Sequence, residues 1–480
     1  MTTERLAGNK MTNYRWTICS LLFFATTINY LDRQVLSLTW TDWIAPEFHW
    51  TNSDYGDITS IFSLAYAISM LFAGRFVDWL GTKKGFLWAI GVWSIGACIH
   101  ALCGIGTSGI ITGKWLVGFE GAKETLSTVQ DVTKITTVSV TLFIFSRIVL
   151  ALGEAGNFPA AIKATAEYFP KKARGFATSI FNAGATIGAL AAPLTIPVIA
   201  RSYGWEMSFL IIGALGFIWM GFWVFYYKKP DANAKVNSLE LAYIQQDDID
   251  VKQPVDEKRK ISFLKILSYK QTWAFALGKF MTDGVWWFFL FWIPAYLKSA
   301  YGLNSLQSRP QIFTLYFITL LSIIGGWLPT YFVEKKNMNP YAGRMKAMLI
   351  FAFFPLLGLL AQPLGHYSVW IPVIIIGIAL AAHQAWSANI FSTVGDMFPK
   401  AAIATVTGIG GMAGGIGSFI INKSSGKLFD HATATNMKFM GFEGIKAGYF
   451  IIFSICAVAY LIGWVIMKSL VPKYKPITDL

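Results

Sequence analysis

Two groups of charged residues stand inside stretches that are otherwise apolar. One hydrophobic segment is interrupted by Asn29-Tyr30-Leu31-Asp32-Arg33-Gln34, and another carries Arg147 and Glu154. In a helix the last two lie two turns apart on one face, roughly 10 Å along the axis. A charge at mid-membrane costs ~2.5–3.5 kcal/mol on insertion scales, so such groups need a polar cavity or partners. Two chemistries fit. The acids can gain and lose a proton, because a dry cavity raises proton affinity and a neighbouring Arg lowers it. The arginines can hold a carboxylate through paired hydrogen bonds. Ion pairs with a purely structural role are the plain alternative.

The surrounding composition decides what positions these groups. Of 480 residues, 55% are hydrophobic and only 14% charged, with a mean hydropathy of +0.50. Soluble domains run nearer a quarter charged. Runs of spanning length fall at roughly 15–38, 57–80, 85–104, 138–160, 175–200, 208–227, 272–298, 311–333, 344–363, 368–392, 402–422 and 448–468. The chain is therefore read as an all-α membrane protein of twelve transmembrane helices. The net charge of +14 does not point to nucleic acid, because the basic residues are scattered between apolar runs. Cys19, Cys98, Cys103 and Cys456 all fall within apolar runs and are expected to pack. The first run begins near Trp16 and reads as a span, being too long for a cleavable signal.

A polar stretch, 228–270, separates six spans from six. It carries Asp231, Asp247, Asp248, Asp250, Asp256, Glu257 and Lys258-Arg259-Lys260, and it is expected in water, with Ile261–Leu267 at the membrane surface. This divides the chain into an N-terminal bundle, 1–227, a central loop, 228–270, and a C-terminal bundle, 271–480. Lys and Arg concentrate on the side of the termini and central loop; Arg33, Arg75, Arg147 and Lys279 fall within spans. By the positive-inside rule both termini are predicted cytoplasmic in a multi-pass protein of the cell (inner) membrane. The insertion at about 104–138 is then extracytoplasmic.

The halves resemble each other. Glu167-Tyr168-Phe169-Pro170-Lys171 follows span four and Asp396-Met397-Phe398-Pro399-Lys400 follows span ten. Each precedes a helix with Ala-Gly (Ala183-Gly184, Ala413-Gly414) and a further glycine, Gly188 or Gly417. Duplicated six-helix halves with a site at their interface are a recurring transporter plan.

Between spans two and three runs Gly74-Arg75-Phe76-Val77-Asp78-Trp79-Leu80-Gly81-Thr82-Lys83-Lys84. The glycines suit close helix approach and a tight turn, Asp78 can accept from a helix N-terminus, and Lys83 and Lys84 hold the loop in the cytoplasm. This pattern resembles the signature loop of the major facilitator superfamily. The resemblance implies the fold of two pseudo-symmetric six-helix bundles, with Gly74, Asp78, Gly81, Lys83 and Lys84 in conformational switching. Asp32-Arg33 with Arg147 and Glu154 is similar to the anion:cation symporter branch, which carries sugar acids and other organic anions, typically with protons in bacteria. That resemblance implies proton coupling at Asp32 and Glu154 and substrate contact at Arg33 and Arg147.

Within the branch, Phe181-Asn182-Ala183-Gly184, Ala382-His383-Gln384-Ala385 with Ser387, and Lys279 look most like hexuronate (glucuronate/galacturonate) transporters. Ala185 and Gly411 depart from the galactonate-type pattern. The resemblance adds Tyr30, Tyr66, Asn182, Lys279, Trp287, His383, Gln384 and Ser387 to the pocket. Lys279 and Asp283, four apart, could instead neutralise each other, His383 with Gln384 could form a satisfied interhelical cluster, and Trp286 reads as packing. The implied protein is a proton-coupled hexuronate symporter working by alternating access on a small anionic substrate and protons, functional as a monomer in the lipid bilayer. Another sugar acid, a dicarboxylate or an aromatic acid are alternative cargoes, and a non-transporting sensor is a further reading. Neither cofactor nor metal is expected. His-Glu-x-x-His, Gly-x-Ser-x-Gly and P-loop motifs are absent, so the chain is not read as an enzyme.

Overall fold

The computed structural model describes residues 10–246 and 263–478. In the first half, α1 (Arg15–Thr39) runs through a π-helical turn into α2 (Ala45–Phe48). It is followed by α3 (Asn52–Leu80), α4 (Thr82–Ala101), α5 (Cys103–Thr112), α6 (Gly118–Ser127), α7 (Val132–Glu154), α8 (Asn157–Tyr168), α9 (Lys171–Tyr203) and α10 (Trp205–Tyr226). The short α11 (Ser238–Ile244) and α12 (Phe263–Leu267) lie between the halves. The second half comprises α13 (Lys270–Tyr301), α14 (Arg309–Ile318), α15 (Ile324–Lys336), α16 (Pro340–Phe353), α17 (Gly358–Leu364), α18 (Trp370–Met397), α19 (Lys400–Ala434) and α20 (Ile445–Leu470). A two-residue hairpin, β1 (Lys438–Phe439) with β2 (Phe442–Glu443), precedes α20.

Among the described residues, eight helical rods are long and apolar enough to cross a bilayer, and α4 with α5, bent by 53°, makes nine. The three rods completing six per half are α1, α13 and α19. They carry the polar residues: Asp32 and Arg33, Lys279 and Asp283, and Lys423 and Asp430 respectively. Polarity placed inside a span is costly, and the fold meets that cost by turning these rods inward. α13 is buried on nearly every face.

The repeated sequence blocks do equivalent work in both halves. Glu167, ending α8, accepts from Thr82 at the start of α4 at 2.6 Å; Asp396, ending α18, accepts from Arg344 at the start of α16 at 2.6 Å. A Cβ on Gly184 would fall 2.4 Å from the Phe23 carbonyl of α1, and one on Gly188 2.5 Å from that of Thr27. In the second half a Cβ on Gly417 would fall 2.2 Å from the Phe280 carbonyl of α13. The small residues thus let α9 lie on α1 and α19 on α13, backbone to backbone.

Several expectations change. The 104–138 insertion is largely helical: it holds most of α5, all of α6 and the first turns of α7. The central segment is not wholly in water. Glu240 of α11 is fully buried and accepts from the Tyr14 and Arg15 amides at 2.8 and 2.9 Å, from Thr12 Oγ1 at 2.6 Å and from Arg15 Nη1 at 3.1 Å. A carboxylate there satisfies the free N–H groups at the start of α1. The charged run Asp247–Lys260 and the first residues of the surface segment 261–267 lie outside the described residues; Leu264 of α12 is exposed and Ile266 buried. In the signature loop, Gly81 takes φ +77° at the α3–α4 turn, a left-handed backbone that favours glycine. Among the described residues nothing lies across from Gly74; the close approach is made by Gly85, whose Cβ would fall 3.0 Å from Val77 Cα. Asp78 is exposed and pairs with Lys163 of α8 at 2.7 Å, not with a helix N-terminus. Lys83 donates to the Val224 carbonyl at 2.8 Å. The four cysteines are free, three of them buried.

At the end of the bundle away from the termini, the halves are bound together. Lys298 of α13 pairs with Asp42 and donates to the Thr41 carbonyl, each at 2.6 Å. Lys423 pairs with Asp57 at 3.0 Å. Asp430 of α19 caps the N-terminus of α3 through the Asn52 and Ser53 amides at 3.0 and 2.7 Å.

Candidate functional site

α1 and α7 place Arg33 and Glu154 in contact. Arg33 Nε and Nη2 donate to Glu154 Oε2 at 2.9 and 2.6 Å, with both side chains out of solvent. The sequence offers Arg147 and Glu154 as partners for Asp32 and Arg33 but does not say which acid meets which arginine, because the bond joins helices far apart in the chain. Four aromatic rings surround the Arg33 guanidinium: Tyr30 at 5.1 Å, Tyr66 at 4.9 Å, Trp287 at 4.8 Å and Phe62 at 5.9 Å. Such a cage holds a cation that is short of water. Trp287 comes from α13 and the others from α1 and α3, so the cage spans the seam between halves. Phe62 was missed from sequence, although it stands one helical turn before Tyr66 and its ring also lies 5.1 Å from Arg147.

Asp32, next to Arg33 on α1, and Arg147, two turns before Glu154 on α7, are buried as well. They are electrostatic neighbours of each other and of Glu154. Neither Asp32 oxygen, none of the three Arg147 nitrogens and not Glu154 Oε1 has a hydrogen-bond partner among the described residues. Leaving such groups bare in a closed core would be prohibitive, so the arrangement fits a chamber that takes in water or a solute. The core also holds Asn29 and Asn157 with both amide atoms unpartnered. Asn29 sits one turn before Asp32; Asn157, three residues beyond Glu154, carried no spacing signal.

The second half contributes another cluster. Lys279 binds Asp283 at 2.7 Å along α13, the self-neutralising pair that the spacing allowed. His383 of α18 shares a 2.7 Å hydrogen bond with Tyr460 of α20. Trp286, read as packing, stacks on the His383 ring with centroids 5.3 Å apart. Gln384 and Ser387 are half-buried on α18, and Asn182 is exposed on α9, two residues before the glycine that meets α1. Asp283 stands one turn before Trp287, whose ring lies over Arg33, so the Lys279–Asp283 pair borders the same seam between halves. The structure does not draw Asn182, Gln384 and Ser387 into the Arg33 cage.

With this geometry in place, residues 22–421 match the profile described as Major Facilitator Superfamily. The chain belongs to the Major Facilitator Superfamily. It is a multi-pass membrane transporter of a small molecule, not an enzyme. Similar superfamily members include the hexuronate transporter of Escherichia coli K12, 27% identical over 426 residues covering 88% of this chain and 89% of that one. The galacturonate transporter of Dickeya chrysanthemi is 26% identical over 336 residues, covering 70% and 87%. The fold matches a bacterial homologue of the human lysosomal transporter Spinster with a TM-score of 0.69 at 17% identity, covering 98% of this chain and all of the other.

Proposed function

We propose that this superfamily member is a proton-coupled symporter importing a hexuronate such as glucuronate or galacturonate across the inner membrane, with both termini cytoplasmic. The observation that carries the reading is the buried Arg33–Glu154 pair in its aromatic cage, beside an Asp32 and an Arg147 with unfilled hydrogen-bonding capacity. The kinship to hexuronate and galacturonate transporters supports the cargo.

Each group then has a task. A proton taken by Glu154 cancels the charge that holds Arg33, leaving the guanidinium free to bind a substrate carboxylate. Asp32 is the second proton acceptor, and Arg147 supplies further donors to the anion. Tyr30, Tyr66 and Trp287 offer flat apolar faces to the C–H side of a sugar ring. Lys279, His383, Gln384 and Ser387 on the second half, with Asn182 of α9 on the first, meet the hydroxyls. The halves 1–227 and 271–480 rock about this centre, closed toward the outside by the Asp42–Lys298 and Asp57–Lys423 bridges, while the loop of Gly74, Asp78, Gly81, Lys83 and Lys84 governs the cytoplasmic side. The protein acts as a monomer.

The deciding experiment is uptake of labelled glucuronate, galacturonate, galactonate and the neutral sugar galactose into proteoliposomes, with and without an imposed proton gradient. Hexuronate accumulation driven by the gradient is expected. Uptake that ignores the gradient, or that prefers a neutral sugar, overturns the reading. Arg147→Ala should abolish uptake, and normal uptake in that variant removes the residue from the site.

A further inference from the structure

The mechanism leaves His100 unused, although it is fully buried in the first bundle. It stands on α4 where that helix lies against α7 with nothing between them. A Cβ on Gly153 would fall 2.3 Å from the Trp93 nitrogen, and one on Gly96 2.6 Å from the Leu150 nitrogen. The two helices run antiparallel. One turn beyond Gly96 on α4 is His100, and about one turn before Leu150 on α7 is Arg147. The next layer is marked by Cys103 Sγ and Ser146 Oγ, 3.4 Å apart. His100 and Arg147 therefore share one layer of the α4–α7 seam.

The His100 ring has little freedom there. It lies parallel to Phe209, centroids 4.9 Å apart and planes 3° apart, and edge-on to Phe143 at 5.7 Å. Its Nδ1 is 2.7 Å from the Gly96 carbonyl. A carbonyl can only accept, so Nδ1 carries the hydrogen and Nε2 presents its lone pair. Among the described residues Nε2 has no partner and neither has any of the three Arg147 nitrogens, so the two side chains share the layer without a hydrogen bond between them. A fixed acceptor without a donor and a fork of donors without an acceptor are thus buried in one layer, where leaving both unmatched is unfavourable.

We propose that His100 is a positioning residue for the anion site: a small turn of the Arg147 fork brings it within reach of His100 Nε2, which accepts a hydrogen bond from it and fixes its plane, so that the remaining N–H groups point at the incoming carboxylate. This rests on the reading of Arg147 as a substrate contact. His100 itself touches no substrate. It sets how well Arg147 is aimed, and so it governs affinity more than turnover.

Two measurements test this on the full-length protein. In the first, solid-state NMR of the protein labelled with 15N-histidine is recorded in lipid, and the His100 ring signals are assigned with His100→Gln. An Nδ1–H tautomer is expected, with an Nε2 resonance that moves in Arg147→Ala. A resonance unmoved by that change overturns the proposal whatever the cargo is. In the second, KM and Vmax for the best-transported of D-glucuronate, D-galacturonate and D-galactonate are measured for His100→Phe and His100→Gln, with melting temperatures alongside. His100→Phe keeps a ring between Phe209 and Phe143 but has no acceptor; it should raise KM roughly tenfold or more while Vmax stays within about threefold. His100→Gln restores an oxygen near Nε2 and should bring KM back to within about threefold of the parent. A parental KM in His100→Phe, or equal losses in both variants with lowered melting temperatures, overturns the proposal. Arg147→Ala measured in the same assay separates the two ideas. If that variant transports normally the anion-site reading fails, whereas if it is inactive and His100→Phe is unaffected only the positioning role fails.

Discussion

Glu154→Gln is the most searching single change, because it retains the shape of the side chain and removes only its charge. Both Arg33 hydrogen bonds end on one oxygen, Oε2, at 2.9 and 2.6 Å. Arg33 keeps its charge, so its bonds to a Gln amide remain charged hydrogen bonds; losing the opposite charge takes the interaction from the top toward the bottom of the ~1.5–3 kcal/mol range for such bonds, and the hold on Arg33 should weaken by about 1–2 kcal/mol. At 1.4 kcal/mol per decade, Arg33 is released roughly 5–30-fold more readily. Opposing this, removing one partner of a buried pair costs ~3–5 kcal/mol when the other charge is stranded. Here the stranded cation keeps four aromatic faces, each worth ~0.5–2 kcal/mol, and these offset most of that penalty. The variant should fold with a lowered melting temperature and regain more stability than the parent on adding a hexuronate. In proteoliposomes it should bind the anion roughly 5–30-fold more tightly and exchange it across the membrane. It should lose accumulation against a gradient at every pH, because the group that couples the proton to Arg33 no longer titrates. Uphill accumulation at the parental ratio, with the parental pH profile, would refute the coupling role of Glu154.

Further outcomes follow from the same structure. Lys298→Ala removes a partly exposed bridge to Asp42, worth up to ~1 kcal/mol, so spin labels across the extracytoplasmic end should report up to fivefold more of the open form; an unchanged distance distribution would discount the bridge. Burial works against the Asp42 charge, but hydrogen bonds from Lys298 and Ser305 outweigh it and hold the carboxyl below its ordinary range. A depressed acid stabilises above its ordinary value and loses that contribution only as pH falls through the lowered one, so this distribution should be flat from about pH 5 to 8. Glu47, between α1 and the first extracytoplasmic turn, behaves oppositely. Burial pushes its carboxyl up to about 7 despite the Trp205 hydrogen bond, with Glu206 adding to the rise and Lys123 opposing it. Its contribution is present at acid pH and lost as pH rises toward neutrality. Glu47→Gln should therefore stabilise the protein by up to about 3 kcal/mol at pH 8 and hardly at all near pH 4.5, read from melting temperatures; a gain independent of pH would count against this. Gly184→Ala would press a methyl to 2.4 Å from the Phe23 carbonyl. It should cost ~1–3 kcal/mol of stability, and unaltered melting would show that α9 can draw back from α1 without loss.

Much of this protein is legible in its residue order, because a bilayer imposes strict local rules. Apolar length predicts rods, and the acid-x-Phe-Pro-Lys blocks mark where each half repeats. A two-turn spacing puts Arg147 and Glu154 on one face of α7, and the i to i+4 spacing anticipates the Lys279–Asp283 pair. All of these are properties of one helix or one turn. What tertiary structure alone decided is which faces meet. Arg33 finds Glu154, and not its chain neighbour Asp32, because the two long side chains from α1 and α7 reach each other in the core. Phe62 and Trp287 close around Arg33 although they belong to different halves. His383 goes to Tyr460, and Asp78 pairs with Lys163 and leaves helix N-termini to Asp430 and Glu240. Spacing along a chain fixes the azimuth of a side chain on its own helix. The partner across the gap depends on how helices rotate and slide against one another, and that is set by packing contacts, such as those of Gly153 and Gly184, summed over the whole bundle.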